Sequence, residues 1–408
     1  MKVLYIVGSC LTKNTSANMS HNAYVQGLLG HGCSVDIIMA NDSWGKDDKA
    51  LPKWTEARYY EYNSVTWADK LRLKVRGNNT EPGQSNNDVD NISEQRKRWN
   101  FKRLIRSFLK KIFYSIFPVD PLYPLEKEWL KQAERFKSDI EYDLVISNSS
   151  PAASHKLVVN LRNNQRIRFK RWIQIWEDPW YYDLYGGYTD AIKEEEHFLL
   201  REASEIFYVS PLTMEYQKQY YSDCVHKMKC IPLPFLKFSD EIDNVITDEM
   251  SFGYFGDYYS QTRNLVPFYE ALCETKAKGY IYGDSNLVLE KTEEIEVSGR
   301  VTLDVLSEIQ NKTSVLVHLC NLKGGQIPGK IYHYSATNKA ILFILDGTEK
   351  EKIIIKEFFG KFNRYYFCEN NKKAIMQAIK ELEAICDKYV GNVVNEFEPK
   401  NVVSKFLN

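Results

Sequence analysis

Three groups of residues in this chain have the types and spacing to do chemistry. The first is Glu177-Asp178, which directly follows the apolar run Arg171-Trp-Ile-Gln-Ile-Trp176. Carboxylates at the end of a buried strand face a cleft, where one can take a proton from a hydroxyl as general base. His21 is a third candidate base, because an imidazole titrates closest to neutral pH. The second group is Gly324-Gly-Gln-Ile-Pro-Gly329 with Lys330 behind it, a flexible loop opening a helix. Free backbone N–H groups at a helix start can face a phosphate. A cation in a first turn is poorly placed for the dipole alone, and a bound anion accounts for it. Arg263, in the loop after the first strand of the second half, reaches toward the same place. The third group is Arg96 to Phe117, with eight cations, no acid, and one apolar stripe at helical spacing. It predicts an interfacial helix in which Arg103, Arg106, Phe108, Lys110 and Ile112 meet an anionic membrane surface.

These groups need elements to hold them. Lys2 to Gly8 is a buried strand, Ala23 to Leu29 a helix stopped by Gly30-His31-Gly32, and Val35 to Met39 a second strand. Strand, helix, strand implies a parallel sheet. The rhythm returns at 143–147, 171–176 and 205–210, with a helix at 189–202, and ends at the prolines of 229–234. A second series follows: strands at 250–255, 278–282, 314–319 and 340–345, with helices at 265–273, 302–310 and 330–336. Two doubly wound α/β units joined near residue 236 are therefore expected, with ligands at the carboxyl ends of the strands. Gly77 to Glu94 has almost no large apolar residue and reads as a loop.

Bulk properties agree. A chain of 408 residues exceeds the usual size of a single core. Lys plus Arg and Asp plus Glu number 54 each, and a neutral whole argues against a nucleic-acid partner. The eight cysteines are scattered with no CxxC pair, as in a reduced, cytosolic protein without a zinc site. No apolar run approaches the roughly 20 residues of a membrane span, and the N-terminus lacks a cleavage pattern, so a cytoplasmic location is expected. Gly8-Ser-Cys-Leu-Thr-Lys13 is not the glycine fingerprint of a nicotinamide enzyme.

Several phrases, in order, resemble glycosyltransferases of the GT-B fold, in particular the GT4-like group that includes bacterial capsule, O-antigen and exopolysaccharide transferases. They are Phe117-Pro-Val-Asp-Pro121 with Trp129, Asp143 to Pro151 with His155, Trp176-Glu-Asp-Pro-Trp180 and Ile206 to Ser210. In the second half they are Gly253-Tyr-Phe-Gly256 with Arg263-Asn264, Ser298-Gly-Arg-Val301, and Gln326-Ile-Pro-Gly-Lys-Ile-Tyr-His-Tyr334 with Asn338-Lys339-Ala340.

The resemblance implies two Rossmann-like doubly wound parallel-sheet domains facing a cleft. Residues 1–236 would bind the acceptor and 237–392 a nucleotide-sugar donor, with a C-terminal helix in 393–408 packing back on the first domain. Catalysis would fall to Asp178, Glu177 and His21. The donor would meet Gly256, Arg263, Arg300, Gly325, Pro328, Lys330, His333 and Tyr334, and the acceptor Gly8, Ser9 and Ser149. The diphosphate would be met by cations and a helix end, with no metal or other cofactor. The acceptor would be a saccharide or lipid-linked saccharide of the cell surface. Two departures stand out. Gly325 and His333 occupy the positions of two acids eight apart in many relatives, and Asp257 replaces a frequent Arg. A nucleotide-sugar epimerase of the same fold and a non-catalytic nucleotide-sugar-binding subunit stay open as alternatives.

Overall fold

The computed structural model describes residues 1–13, 15–41, 47–48, 51–64, 122–149, 151–184, 186, 188–237, 250–385 and 391–407. The loop at 77–94 and the basic stripe, with Arg103, Arg106, Phe108, Lys110 and Ile112, lie outside the described residues.

In chain order the first half runs β1 (Lys2–Val7), α1 (Ser16–Gly30), β2 (Ser34–Asn41), β3 (Arg58–Asn63), α2 (Lys127–Ala133), β4 (Glu141–Asn148) and α3 (Ala153–Asn163). It continues with β5 (Arg168–Trp176), α4 (Asp190–Glu202), β6 (Glu205–Tyr208), α5 (Pro211–Tyr220), a 3-10 helix at Ser222–Lys227 and β7 (Met228–Cys230). The second half runs β8 (Ser251–Phe255), α6 (Val266–Thr275), β9 (Lys278–Tyr282), β10 (Ile295–Ser298), α7 (Leu303–Lys312), β11 (Val315–Leu319) and α8 (Lys330–Tyr334). Then come β12 (Ala340–Leu345), α9 (Glu349–Gly360), β13 (Tyr366–Glu369), α10 (Lys372–Ile385) and α11 (Pro399–Leu407).

The first sheet has the order β3-β2-β1-β4-β5-β6-β7 and the second β10-β9-β8-β11-β12-β13. Every pairing is parallel. Strand order reverses between β1 and β4 and again between β8 and β11, and at such switch points the diverging loops leave a crevice.

Some elements were hidden by polarity. The helix expected from Ala23 begins at Ser16, because Asn18, Ser20, His21 and Asn22 are buried polar residues that carry no apolar period. Asn22 Nδ2 donates to the carbonyls of Leu11 and Asn18, which ties the helix start to the loop after β1. Strand β3, Arg-Tyr-Tyr-Glu-Tyr-Asn, has no aliphatic residue. It is secured by buried Asp36, which accepts from Arg58 Nε at 2.6 Å and from Tyr142 Oη at 2.7 Å.

One buried apolar cluster runs through both halves, from Tyr5, Ile175 and Phe207 to Phe255, Leu316 and Phe343, and on to Val402, Val403 and Phe406 of α11. Helix α11 crosses α1 at Gly27, where a Cβ would lie 2.3 Å from the Pro399 carbonyl oxygen. Full burial of each of its apolar side chains contributes about 1.5–3 kcal/mol. The end of the chain is thereby fastened to the first sheet. Arg364 fixes the approach to it, donating to the carbonyls of Asn392, Thr337 and Lys339.

Candidate functional site

On the first sheet the strand ends bring together Ser9 after β1, Ser149 after β4, Glu177-Asp178 after β5 and Ser210 after β6. Asn18 orders the group. Its Nδ2 hydrogens go to the carbonyls of Cys10 and Lys13, both at 2.8 Å, so its Oδ1 faces Ser9. Ser9 Oγ must then donate to Asn18 Oδ1, at 2.7 Å, and can only accept from His21 Nδ1, at 3.2 Å. His21 is fully buried, and its Nε2 lies 3.1 Å from Glu177 Oε1 without the alignment of a full hydrogen bond. Both facing atoms are acceptors unless one carries a proton.

Ser149 and Gly8 have structural partners at these strand ends. Ser149 is buried and its Oγ accepts the Glu177 N–H at 3.3 Å, so it sets the backbone under the dyad. Gly8 makes room: a Cβ there would sit 2.6 Å from Pro151.

Asp178 faces the other sheet. Its Oδ1 accepts from Gln326 Nε2 at 2.6 Å, and the same amide donates to Asp183 at 2.9 Å. Burial pushes the Asp178 carboxyl up to about 6; the Gln326 bond opposes this, and Asp183 and Glu177 add to it. Beneath the loop, fully buried Glu196 accepts the N–H groups of Trp180 and Tyr181 and the hydroxyl of Tyr221. Burial lifts its carboxyl to about 7 against those three bonds.

On the second sheet the strand ends collect cations. Arg263 Nη1 lies 3.8 Å from where a Cβ of Gly256 would stand, which places the guanidinium beside the end of β8. Arg300, after β10, is largely exposed and pairs through Nε and Nη2 with Asp257. The acid that replaces the frequent Arg thus has a partner of opposite charge, and Arg300 is engaged with it instead of standing free for a base. Asp257 is held below the usual carboxylate range, first by Arg300. Burial lowers the Lys330 ammonium to about 8; Asp257 opposes the fall, and Arg300 and Arg263 deepen it. His333 is held down near 4 by burial and by Lys330, which keeps the imidazole neutral at neutral pH.

The glycine-rich loop departs from expectation. Helix α8 has five residues, and the N–H groups of Ile331 and Tyr332 bond back to Pro328 and Gly329. So short a helix has little dipole, and those two donors are already used. Gly325 faces away from the cation group: its carbonyl accepts from Ser210 Oγ and Thr213 Oγ1, and a Cβ would meet Thr213 Cα at 2.7 Å. Gly329 approaches Ser16 of α1, and Gly324 approaches Leu184. These glycines let one half of the molecule touch the other. Pro328 serves the α8 turn through its carbonyl. Tyr334 is a core residue, 4% exposed, and does not line the cleft. Lys339 is also structural, donating to the carbonyls of Gln310, Asn311 and Thr313 at the end of α7.

No protein-family model and no curated protein matches the sequence. Solved structures do match. The lipopolysaccharide outer core galactosyltransferase WaaB, in its apo form, is 12% identical, with 98% of this chain and 94% of that chain covered at a TM-score of 0.50. A glycosyltransferase from Rickettsia africae ESF-5 is 13% identical, covering 99% and 94% at 0.49. A putative UDP-N-acetylglucosamine 2-epimerase from Listeria monocytogenes is 9% identical, covering 100% and 94% at 0.47. Two parallel sheets with reversing strand order, facing each other at their carboxyl ends, superpose along nearly the whole chain. The fold is GT-B. Within GT-B the likeness establishes architecture, and the reaction has to be argued from the site.

Asn18, Asp183, buried Glu196 and His318, and the side chain of Gln326 were given no role in the sequence reading. Glu196 carried a signal, because it shares a helical stripe with buried Leu199 and Leu200. His318 interrupts the apolar strand β11; burial and then Arg263 hold its imidazole near 3. Among the described residues one trio has metal-ligating spacing, His197, Asp223 and Cys224. It lies before β7, at the end of the sheet away from the cleft, and Arg201 already donates to Asp223 at 2.9 Å. Among the described residues no helix is long and apolar enough to cross a membrane.

Proposed function

We propose that the protein is a glycosyltransferase that moves a sugar from a nucleoside-diphosphate donor to an acceptor hydroxyl, without a metal cofactor. One observation carries the reading: Asp178, at the end of β5, is bonded at 2.6 Å by Gln326 of the loop that leads to Lys330, whose neighbours are Arg263 and Arg300. Arg263 and Lys330 meet the diphosphate, and Asp178 takes the acceptor proton. As the acceptor oxygen bonds to the anomeric carbon, the bond from that carbon to the diphosphate oxygen breaks. Its electron pair leaves with the diphosphate, whose growing charge the cations stabilise. His21 and Glu177 stand beside the reacting carboxylate, in contact with each other. A saccharide or lipid-linked saccharide of the cell surface is the acceptor class we favour. The basic stripe at 96–117, on its sequence alone, would bring the cleft to an anionic membrane.

A panel of nucleotide sugars tests the reading by thermal shift, since a ligand at 100 times its Kd adds about 2.7 kcal/mol. The donor that shifts the protein should then be slowly hydrolysed, equally with and without EDTA. Conversion to an epimeric nucleotide sugar would make the protein an epimerase, and binding without turnover a subunit. Co-sedimentation at low salt with anionic but not neutral liposomes is expected for the stripe; equal recovery with both would remove the membrane role.

A further inference from the structure

The loop after Asp178 puts aromatic rings into water beside the cleft. Tyr182 has φ +68°, in the left-handed region that a side chain disfavours, and is 53% exposed. Tyr188 is 57% exposed, and the two rings stand perpendicular with centroids 5.0 Å apart. Tyr220 backs Tyr182 at 5.2 Å. The arrangement is fastened: Tyr188 Oη donates to the Asp183 carbonyl at 2.9 Å, and Glu196 holds Tyr181 from below. A tyrosine kept solvated in a disfavoured backbone conformation is a common mark of a functional position. Next in the chain is Asp183, whose carboxylate shares Gln326 with Asp178.

Aromatic faces are electron-rich, and the C–H bonds on the face of a pyranose present the complementary positive edge. Carboxylates and an amide beside them suit the sugar's hydroxyls. Tyr188 is also followed within two residues by Asp190, and with Asp183 this acidic setting repels an anionic lipid surface. We propose that Tyr182 and Tyr188 form the platform on which a pyranose ring of the acceptor saccharide stacks, with Asp183 bonding its hydroxyls. The proposal rests on the transferase reading and deepens it by naming the acceptor subsite.

A glycan array probed with the full chain tests it. Wild type should retain a defined set of saccharides. The Tyr182→Ala/Tyr188→Ala protein should retain them about tenfold more weakly or not at all, and the Tyr182→Phe/Tyr188→Phe protein should keep them, because stacking needs the ring and not the hydroxyl. Melting temperatures of all three establish that they fold. Equal retention by the alanine protein, or no glycan retained by wild type, overturns the platform. Failure of wild type to bind any nucleoside diphosphate, measured separately, would instead sink the transferase reading.

Discussion

At the end of β5 polar groups are tied to partners of this chain: Asn18 to Ser9, Ser9 to His21, His21 to Glu177, and Asp178 to Gln326. At the ends of β8 and β10, three cations, Arg263, Arg300 and Lys330, face two acids, Asp257 and Asp284. The first region is a network of polar contacts within the chain. The second gathers three cations against two acids, and there burial, with Arg300 and Arg263 adding to it, depresses Lys330. On the proposed function, the contrast assigns proton transfer to one lip of the cleft and anion binding to the other. Each should therefore fail differently when altered.

The largest effect is expected at Asp178. Asp178→Asn should lower kcat by about 10²–10⁴-fold, the usual contribution of a general base. Affinity for the free nucleoside diphosphate should stay within about twofold, because the cations are untouched. Wild-type kcat/KM should fall as pH drops through about 6, where the carboxyl takes up a proton. The asparagine variant should lack that limb. A variant that keeps its rate would move the base to the His21–Glu177 pair.

Next in size is the anion side. Arg263→Ala and Lys330→Ala should each weaken nucleoside-diphosphate binding by about 1.5–3 kcal/mol, as for a lost charge-assisted hydrogen bond. Lys330 also gives a pH signature. Held near 8, it is charged below that pH and loses its proton above, so affinity should fall as pH rises through about 8. Lys330→Arg should keep affinity to higher pH, since guanidinium stays protonated. Calorimetry at pH 7 and pH 9 reads both effects; wild-type affinity in the two alanine variants would erase the contrast between the lips.

Much of the architecture was legible because buried parallel strands announce themselves, as Val3 to Val7 and Ala340 to Leu345 do. The edge strand β3 and the start of α1 were not, since tyrosines, asparagines and a buried histidine carry no period. Among site residues, Glu177, Asp178, Arg263 and Lys330 could be picked by charge type at strand ends. Asn18, Gln326 and Glu196 could not, because their roles come from long-range partners: Gln326 meets a carboxylate 148 positions away. Tyr334 and the glycines of 324–329 fit a ligand-binding phrase, and the structure gives them packing roles that the phrase did not announce: Tyr334 is 4% exposed and Gly325 abuts Thr213.

The smallest effect, and the sharpest division between the two lips, is expected at Gly325. This position corresponds to a donor-gripping acid in many GT4-like transferases, yet here its carbonyl is bound by Ser210 and Thr213 of the other half. In Gly325→Ala the new Cβ would stand 2.7 Å from backbone atoms of Thr213, which cannot swing aside as a side-chain end could. The loop must back away, at a cost of about 1–3 kcal/mol in stability, typical of overpacking. Nucleoside-diphosphate affinity should nevertheless stay within about twofold, since Arg263 and Lys330 keep their charges and the displaced contact belongs to the first half. Thermal unfolding and calorimetry on the same sample separate the two quantities. A loss of affinity as large as that of Lys330→Ala, with unchanged stability, would return Gly325 to the donor site and make the loop part of the anion side.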